Sequence, residues 1–285
     1  MHAAQPGRAH TARKLGLALG GGAALGLAHI GVIRVFEDHD LAPDVVAGTS
    51  IGAIVGAAYV FGVLDRLEEA ACSLSWLDVM RLTDFRLGKR GFVSGKAIVK
   101  EMTAYIGEAT FADADRPFAV VASDLASNHE VTLKTGRVVD ALRASISIPG
   151  IFPPVERDGR ILIDGGIKNP VPISTCHELG AEIVVAVDVT GDYAGQAEAA
   201  GMSPGQHFQG GLYEVASMSV AMIMNQIGRA NFALNPPDVS IVPKIGHVRP
   251  YQFKEGEELI KAGRDAALSV LADIDGVVRG GSAAG

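Results

Sequence analysis

The pentapeptide Gly48-Thr49-Ser50-Ile51-Gly52 matches G-x-S-x-G, a pattern suited to nucleophilic chemistry. It follows an apolar run typical of a buried strand and precedes an apolar run typical of a helix. In such a turn the flanking glycines leave room for a strained backbone that lifts the serine hydroxyl to the edge of a sheet. The hydroxyl then lies at a helix N-terminus, where N–H groups stabilise developing negative charge. We therefore predict that Ser50 is a nucleophile.

Three consecutive glycines, Gly20, Gly21 and Gly22, follow the apolar run Leu15–Leu19. Main-chain N–H groups in such a run approach a substrate oxygen with no side chain between them, as an oxyanion hole requires. A dinucleotide-binding loop is the competing interpretation. It fails because G-x-G-x-x-G from Gly20 needs glycine at position 25, which is Leu25. We predict that this turn supplies donors to an oxyanion.

Asp164 is the strongest candidate for the base that takes the serine proton. It ends the strand-like segment Arg160–Asp164 and precedes Gly165 and Gly166, which clear space at a sheet edge. The plain alternative is a turn aspartate that caps local backbone.

Histidine is the usual base for a serine nucleophile, but none of the eight histidines is convincingly placed. His29 lies in the first predicted helix, where we expect it to be packed or hydrogen-bonded. Three histidines follow Asp164 in the chain order of an α/β-hydrolase triad, so a triad stays open: His177, His207 and His247.

Metal, nucleotide and nucleic-acid sites find no support in the sequence. The segment HELGA, His177–Ala181, begins like a zincin helix but has alanine where the second histidine must stand. Gly95-Lys96 lacks the spacing and the following hydroxyl residue of a P-loop. Acidic residues outnumber basic residues by 32 to 25, which disfavours a polyanionic partner. We expect no metal, no cofactor and no nucleic acid.

The elements that must position these residues alternate along the chain. Strand-like runs lead directly into glycine-rich turns and helix-like runs, which implies parallel strands with right-handed crossovers. We predict strands at Leu15–Leu19, Asp44–Gly48, Phe118–Leu125, Glu130–Gly136, Arg160–Asp164, Glu182–Val189 and Asp238–Val242. We predict helices at Ala23–Glu37, Ala53–Leu64, Asp65–Leu77, Ser94–Ile106, Arg137–Ser145, Phe208–Ile227 and Lys254–Ile274. The predicted fold class is α/β, a three-layer α/β/α sandwich around a mainly parallel central sheet.

The length of 285 residues and the 48% hydrophobic content favour one catalytic domain with a sizeable core. We place it at residues 14–276, with disordered termini at 1–13 and 277–285. Residues 191–211 are rich in Gly, Ala, Ser and Gln, so we predict a loop or mobile lid there.

The two cysteines, Cys72 and Cys176, are too few for a disulfide framework, and no signal-peptide core precedes Lys14. We therefore expect a cytoplasmic location. Both cysteines are predicted to be small buried apolar side chains.

Two uncharged stretches, Leu15–Ile33 and Val45–Leu64, are each long enough to cross a bilayer. Glycines at 48, 52 and 56 in the second have a spacing that packs transmembrane helices. The first contains six glycines, which are unfavourable in a helix interior. A transmembrane hairpin is therefore the less favoured alternative.

Four segments together resemble the bacterial patatin-like phospholipase family, which is related to cytosolic phospholipase A2. They are GGGAALGLAHIGVI, GTSIG, ASISIPGIFPPV (Ala144–Val155) and DGGIKNPVP (Asp164–Pro172). Their order and spacing cover roughly Leu15 to Asp188, and four blocks are far more specific than any one of them. The resemblance implies a patatin-like α/β sandwich.

The resemblance also implies a catalytic dyad that uses no histidine. Carried over by position, Ser50 is the nucleophile, Asp164 is the base, and the oxyanion donors are the amides of the glycine loop, Gly20–Gly22, and of Ile51. The loop departs from the family at Leu25, where Arg or Lys is usual. An electrostatic preference for anionic headgroups is therefore not part of the expectation.

The combined prediction is a serine acyl hydrolase of the phospholipase A or lysophospholipase type, which cleaves lipid esters through an acyl-enzyme. An aspartate base needs a pKa raised by burial to work well near neutral pH, so we expect Asp164 to be partly desolvated. The expected partner is a lipid ester or phospholipid, with a peripheral membrane surface as a second partner. The alternative is a catalytically weak lipid-binding or regulatory module with the same fold. The sequence specifies no oligomeric state, headgroup or acyl length.

Overall fold

The computed structural model describes residues 13–73, 96–202, 205 and 211–279. The predicted helix cap Ser94, the histidine His207 and the terminal segments 1–12 and 280–285 lie outside these residues. The strands are β1 (Leu15–Leu19), β2 (Val45–Thr49), β3 (Phe118–Asp124), β4 (His129–Leu133), β5 (Val155–Arg157), β6 (Arg160–Asp164), β7 (Ile183–Val187) and β8 (Val239–Ile241). The helices are α1 (Ala28–Asp38), α2 (Ile51–Val60), α3 (Leu64–Ser73), α4 (Lys96–Ile106), α5 (Val138–Ser145), α6 (Ile173–Glu178), α7 (Tyr193–Ala199), α8 (Leu212–Leu234), α9 (Gly256–Ser269) and α10 (Leu271–Arg279).

The described strands form one mixed sheet in the order β5-β6-β3-β2-β1-β7-β8, with β4 also paired to β3. The run β3-β2-β1-β7-β8 is parallel throughout, while β4, β5 and β6 pair antiparallel. Parallel pairing suits the central strands because they are apolar on both faces and helices cover both faces. The predicted α/β sandwich around a mainly parallel sheet is confirmed.

Two hydrophobic clusters lie on opposite faces of this sheet. Along β1, Leu15, Leu17 and Leu19 belong to the larger cluster, which includes side chains of α1, α2, α5 and α9. Ala18 points to the other face and packs in a smaller cluster with side chains of α6 and with Phe232 of α8. Side chains alternate across a strand, so one apolar run serves both layers.

Strands β2 and β6 both pair with β3, and this pairing brings their ends together. Val121 pairs with Thr49 of β2, and the next residue, Ala122, pairs with Asp164 of β6. Since β4 pairs with both residues from the opposite edge, β2 and β6 lie one after the other along the same edge of β3. One is parallel and the other antiparallel to β3, so their carboxyl ends point at each other.

The bounds of β1 and β6 agree with the sequence prediction, and other elements differ from it. The helix predicted from Ala23 starts as a 3-10 segment, Ala23–Leu27, before α1. Short elements β5 and α6 are additional, and α7 lies inside the predicted loop 191–211. Asp192 stabilises α7 because its side chain caps the helix and accepts a hydrogen bond from the Gly195 N–H. The composition of residues 191–211 predicted a loop and did not indicate this cap. Helix α10 runs past the predicted domain end at 276.

No helix in the described parts of the chain is long and apolar enough to cross a membrane. Each stretch of the transmembrane alternative begins as a strand of the central sheet and continues as a separate helix. That alternative is therefore wrong for these two stretches.

The two cysteines differ in environment. Cys176 is buried, as expected, whereas Cys72 is exposed and corrects the prediction. Cys72 lies on the amphipathic helix α3, one residue after the buried Ala71. One residue along a helix turns the side chain to a different face, and Cys72 is on the exposed one.

Candidate active site

The turn from β2 to α2 brings Ser50 to the carboxyl edge of the sheet. Its backbone has φ +54° and ψ −122°, a left-handed φ that non-glycine residues rarely adopt. A Cβ on Gly48 would lie 2.4 Å from the Cα of Ala53, and one on Gly52 would lie 2.2 Å from the carbonyl oxygen of Leu19. Both glycines of the motif are therefore required by backbone contacts.

The Ser50 hydroxyl and the Asp164 carboxylate form a direct hydrogen bond. Ser50 Oγ donates to Asp164 Oδ2 at 2.7 Å, and the Gly166 N–H donates to Asp164 Oδ1 at 2.8 Å. The two side-chain positions are buried, with 5% of Ser50 and 7% of Asp164 exposed. The second hydrogen bond orients the carboxylate, so one of its oxygens faces the serine.

Burial raises the pKa of Asp164 to about 6, while the hydrogen bonds from Ser50 and Gly166 pull it back down. Desolvation has this effect because it disfavours the charged form of a carboxylic acid. The predicted desolvation of Asp164 is thus confirmed. A carboxylate with a pKa near 6 is ionised at neutral pH and is a stronger base than an exposed aspartate.

The two glycines after Asp164 allow its loop to lie against the sheet and under a helix. A Cβ on Gly165 would approach the Val121 carbonyl oxygen to 2.3 Å. A Cβ on Gly166 would come within 3.1 Å of Met224 Cε, since α8 crosses this loop. The Asp164-Gly165-Gly166 segment is therefore covered by α8 on its outer side.

The glycine loop after β1 does not present all of its amides to the site. The Gly20 N–H donates to the Val187 carbonyl at 3.1 Å, and the Gly21 N–H donates to the Pro170 carbonyl at 2.9 Å. This corrects the expectation that both are oxyanion donors, because an N–H in a strong internal hydrogen bond is not free for substrate. Within the described residues, the amides of Gly22 and Ile51 have no acceptor.

His29 is a structural partner of the glycine loop. Its side chain is fully buried, and Nε2 lies 2.7 Å from the Gly20 carbonyl oxygen. Burial lowers its pKa to about 4, so the ring is neutral and donates from Nε2 to Gly20. The prediction of a hydrogen-bonded helix histidine is confirmed.

The two other described histidines that follow Asp164 in the chain have different partners. His177 Nδ1 lies 3.0 Å from the carbonyl oxygen of Ala181, and the exposed His247 pairs with Glu258. Both make their contacts away from the Ser50 hydroxyl, whose hydrogen bond goes to Asp164.

Leu25 stands at the position of the glycine loop where the family resemblance implies Arg or Lys. Only 1% of Leu25 is exposed, and its side chain packs in the larger hydrophobic cluster. The position is therefore part of the core, and it brings no charge to the loop.

Three residues that sequence reasoning did not single out hold the backbone of the site. Ser50 N–H donates to Ser145 Oγ at 2.8 Å, and Asp164 N–H donates to the Ser147 carbonyl at 3.0 Å. Thr49 Oγ1 donates to the Asn169 carbonyl at 2.9 Å. Ser145 and Ser147 lie in the segment ASISIPG, and Asn169 lies in DGGIKNP, so the family-like segments contained these residues. Sequence spacing does not show which backbone group each of them contacts.

Comparison with known proteins identifies a family and individual proteins to which this chain is similar. A family model described as patatin-like phospholipase matches residues 17–177, which include Ser50 and Asp164. An uncharacterized NTE family protein of Mycobacterium tuberculosis is 35% identical over 190 residues, which cover 67% of this chain and 53% of that protein. The lysophospholipase NTE1 of Pyricularia oryzae is 32% identical over 185 residues, or 62% of this chain and 12% of that protein.

The fold is similar to the crystal structure of VipD from Legionella pneumophila, with a TM-score of 0.51 and 13% identity. The superposition covers 92% of this chain and 67% of VipD, and at that identity it concerns the fold alone. The chain spans about half the length of the mycobacterial relative. The family match extends over more than half of the chain, from β1 to α6, and so the chain belongs to the patatin-like phospholipase family.

Proposed function

We propose that the protein is a serine acyl hydrolase that cleaves lipid esters with Ser50 as nucleophile and Asp164 as general base. The observation that carries the proposal is the 2.7 Å hydrogen bond from the serine hydroxyl to a buried carboxylate. Its supports are the strained turn that presents Ser50 and the raised pKa of Asp164. Nucleophile and base within hydrogen-bond reach are the signature of an activated serine.

In the acylation step, Asp164 accepts the hydroxyl proton while Ser50 Oγ attacks the ester carbonyl carbon. The carbonyl oxygen becomes an oxyanion, which the N–H groups of Gly22 and Ile51 stabilise. Ile51 is the first residue of α2, so the helix N-terminus adds its partial positive charge there. The tetrahedral intermediate collapses when the carbon–oxygen bond to the leaving alcohol breaks, and Asp164 returns the proton to that alcohol.

The deacylation step reverses these roles. Asp164 accepts a proton from water, and the resulting hydroxide attacks the acyl carbon of the ester on Ser50. The same two amides stabilise the second oxyanion. Ser50 Oγ leaves, recovers a proton through Asp164, and a fatty acid is released. One buried carboxylate thus handles the proton transfers of both steps.

We propose a phospholipid or lysophospholipid substrate presented at a lipid surface. Supports are the family and the name of the fungal relative, a lysophospholipase. A further support is α8, which covers the Asp164 loop with Met224 and exposes Met222 and Ile223 with 55% and 59% of their surface. Exposed apolar side chains on the helix that covers a lipid site favour contact with acyl chains.

The first test is hydrolysis of p-nitrophenyl esters from short to long acyl chains by the wild type, Ser50→Ala and Asp164→Asn. We expect activity in the wild type, loss in both variants, and a chain-length optimum that reports the size of the acyl site. A wild type that is inactive on every chain, or a Ser50→Ala variant that keeps its rate, would favour the alternative of a lipid-binding module.

A further inference from the structure

The last residue of helix α5 contacts the backbone of Ser50, one member of the proposed dyad. Ser145 is the last residue of this helix, and its side chain is completely buried. Its Oγ accepts a hydrogen bond from the Ser50 N–H at 2.8 Å and donates one to the Val121 carbonyl at 2.6 Å. The hydroxyl therefore links the nucleophile backbone to strand β3.

We propose that Ser145 is a positioning residue that holds the backbone of Ser50 at the separation from Asp164 that proton transfer needs. The inference rests on the proposed function, since it assigns a role relative to Ser50 as nucleophile. Ser145 acts through the elbow, which is the turn of residues 48–52 between β2 and α2. Its hydroxyl binds the backbone of Ser50 on one side and that of Val121 on the other.

A hydroxyl is the group that this position requires. The Ser50 N–H precedes helix α2 and has no acceptor in its own helix, and the Val121 carbonyl oxygen accepts a hydrogen bond from the Ser145 hydroxyl. The Ser145 hydroxyl accepts a hydrogen bond from the Ser50 N–H and donates one to the Val121 carbonyl oxygen. An alanine would leave both backbone groups buried without these partners, and the strained turn at Ser50 would relax to recover them.

The residue two positions later holds the other member of the dyad. The Ser147 carbonyl accepts the Asp164 N–H at 3.0 Å, so the segment 145–147 binds the backbones of nucleophile and base together. Arg143 donates to Ser147 Oγ at 2.7 Å and lies over the Phe152 ring at 5.6 Å, which stabilises this short segment. Ser50 and Asp164 are 114 residues apart in the chain, and two residues of one three-residue segment bind their backbones.

The test compares Ser145→Ala and Ser145→Thr with a matched control, Thr175→Val. Thr175 is also completely buried, and its hydroxyl binds Glu130 at 3.1 Å, away from the dyad. We expect Ser145→Ala to lower kcat by about 10- to 100-fold, as an orphaned buried N–H implies, with KM within about twofold. Ser145→Thr keeps the hydroxyl and is expected to recover most of the loss, while Thr175→Val keeps the wild-type kcat.

The pH profile separates positioning from a general loss of folded protein. The Ser50 hydroxyl holds the pKa of Asp164 down through its hydrogen bond, so a displaced serine lets that pKa rise. We expect the acid limb of kcat/KM to move to higher pH in Ser145→Ala and to stay in place in Thr175→Val. A lower concentration of folded enzyme reduces the amplitude of the profile and does not move it.

Amide hydrogen exchange at Ser50 tests the contact without any activity. We expect the Ser50 N–H to lose protection in Ser145→Ala and to keep it in Thr175→Val. If the wild type and Ser50→Ala show equal hydrolysis, the proposed function fails, and the exchange result still decides the positioning role. Wild-type kcat together with retained Ser50 protection in Ser145→Ala overturns the inference.

Discussion

The turns that follow β1 and β2 are both rich in glycine, yet Gly21 in the first turn answers a different requirement from Gly48 and Gly52 in the second. At the elbow after β2, added Cβ atoms on Gly48 and Gly52 would collide with backbone atoms at 2.4 and 2.2 Å. At the loop after β1, a Cβ on Gly21 would meet its nearest atom, Ser50 Cβ, at an ordinary 3.5 Å. The first set of glycines forms the turn, whereas Gly21 keeps the space beside the Ser50 side chain open.

The two turns are also held in place differently. The elbow depends on close packing and on the contact of Ser50 N–H with a side chain of another helix. The glycine loop is fixed by hydrogen bonds on both sides of one peptide group: Gly20 C=O accepts from His29, and Gly21 N–H donates to Pro170. Substitutions at the elbow should therefore affect folding, and those at Gly21 should affect activity alone.

The largest expected effect comes from removing the hydroxyl that the elbow presents. If Ser50 is the nucleophile as proposed, Ser50→Ala is expected to lower kcat by at least about 10,000-fold. Thermal unfolding should stay close to that of the wild type because the fold keeps both glycines. Hydrolysis of a p-nitrophenyl ester under single-turnover conditions measures the loss, and a residual rate above about a hundredth of wild type would contradict the role of Ser50.

Gly52→Ala breaks the elbow itself. Its methyl group would lie 2.2 Å from the Leu19 carbonyl oxygen and 2.6 Å from that of Gly20, both of which belong to the backbone. We expect the free energy of unfolding to fall by more than about 3 kcal/mol, at the upper end for overpacking. Urea unfolding followed by circular dichroism measures the change, and a midpoint equal to that of wild type would show that β1 and α2 can separate.

Gly21→Ala tests the difference between the two turns, because it adds the same methyl group as Gly52→Ala at a position where the nearest atom is 3.5 Å away. We expect unchanged urea unfolding and a kcat/KM reduced by about 10- to 100-fold, since the methyl displaces the approaching ester beside Ser50. Parallel measurement of stability and activity on Gly21→Ala and Gly52→Ala distinguishes the two turns. Equal losses of stability in both variants would contradict the distinction.

The raised pKa of Asp164 predicts the pH dependence of activity. The proposed base acts when ionised, so kcat/KM should fall about tenfold per pH unit below an apparent pKa of about 6 and level off above it. A profile flat down to pH 5 would contradict the raised pKa.

The same group predicts a change in stability with the opposite sign. The folded-state pKa is about 6 and the unfolded value is near 4, so ionising Asp164 costs stability as pH rises between them. Asp164→Asn removes that cost and should raise the free energy of unfolding by about 3 kcal/mol at pH 7. The gain should vanish below about pH 4, where Asp164 is protonated in both states. Urea unfolding at pH 4 and pH 7 measures it, and equal stability at pH 7 would oppose the desolvation argument.

The smallest expected effect concerns α8, which lies over the Asp164 loop. The double substitution Met222→Glu and Ile223→Glu should lower hydrolysis of phospholipid vesicles by about fivefold, because charge at a lipid surface is unfavourable. A short soluble ester should be cleaved at the wild-type rate. Leu268→Glu on α9 is the matched control, since 41% of Leu268 is exposed on another helix. Equal losses on both substrates would place these residues in the catalytic site instead.

Local sequence determined several elements closely. The apolar run Leu15–Leu19 and the run RILID form strands with the predicted bounds, because glycines or charged residues end each of them. The turn after β2 followed from G-x-S-x-G, since a left-handed serine with glycines on either side has few alternatives. The elements missed were short, β5, α6 and α7, where tertiary contacts and a side-chain cap outweigh a weak local pattern.

The tertiary structure alone decided how the site is assembled. Whether the Gly20 and Gly21 amides are occupied depends on Val187 and Pro170, which are distant in the chain. The 2.7 Å contact between Ser50 and Asp164 depends on β2 and β6 meeting along one edge of β3. Sequence determined the conformations that neighbouring residues impose on one another. Strand order, register and the contacts of residues 145–147 with Ser50 and Asp164 arise from the packing of the whole chain, and no local pattern specifies them.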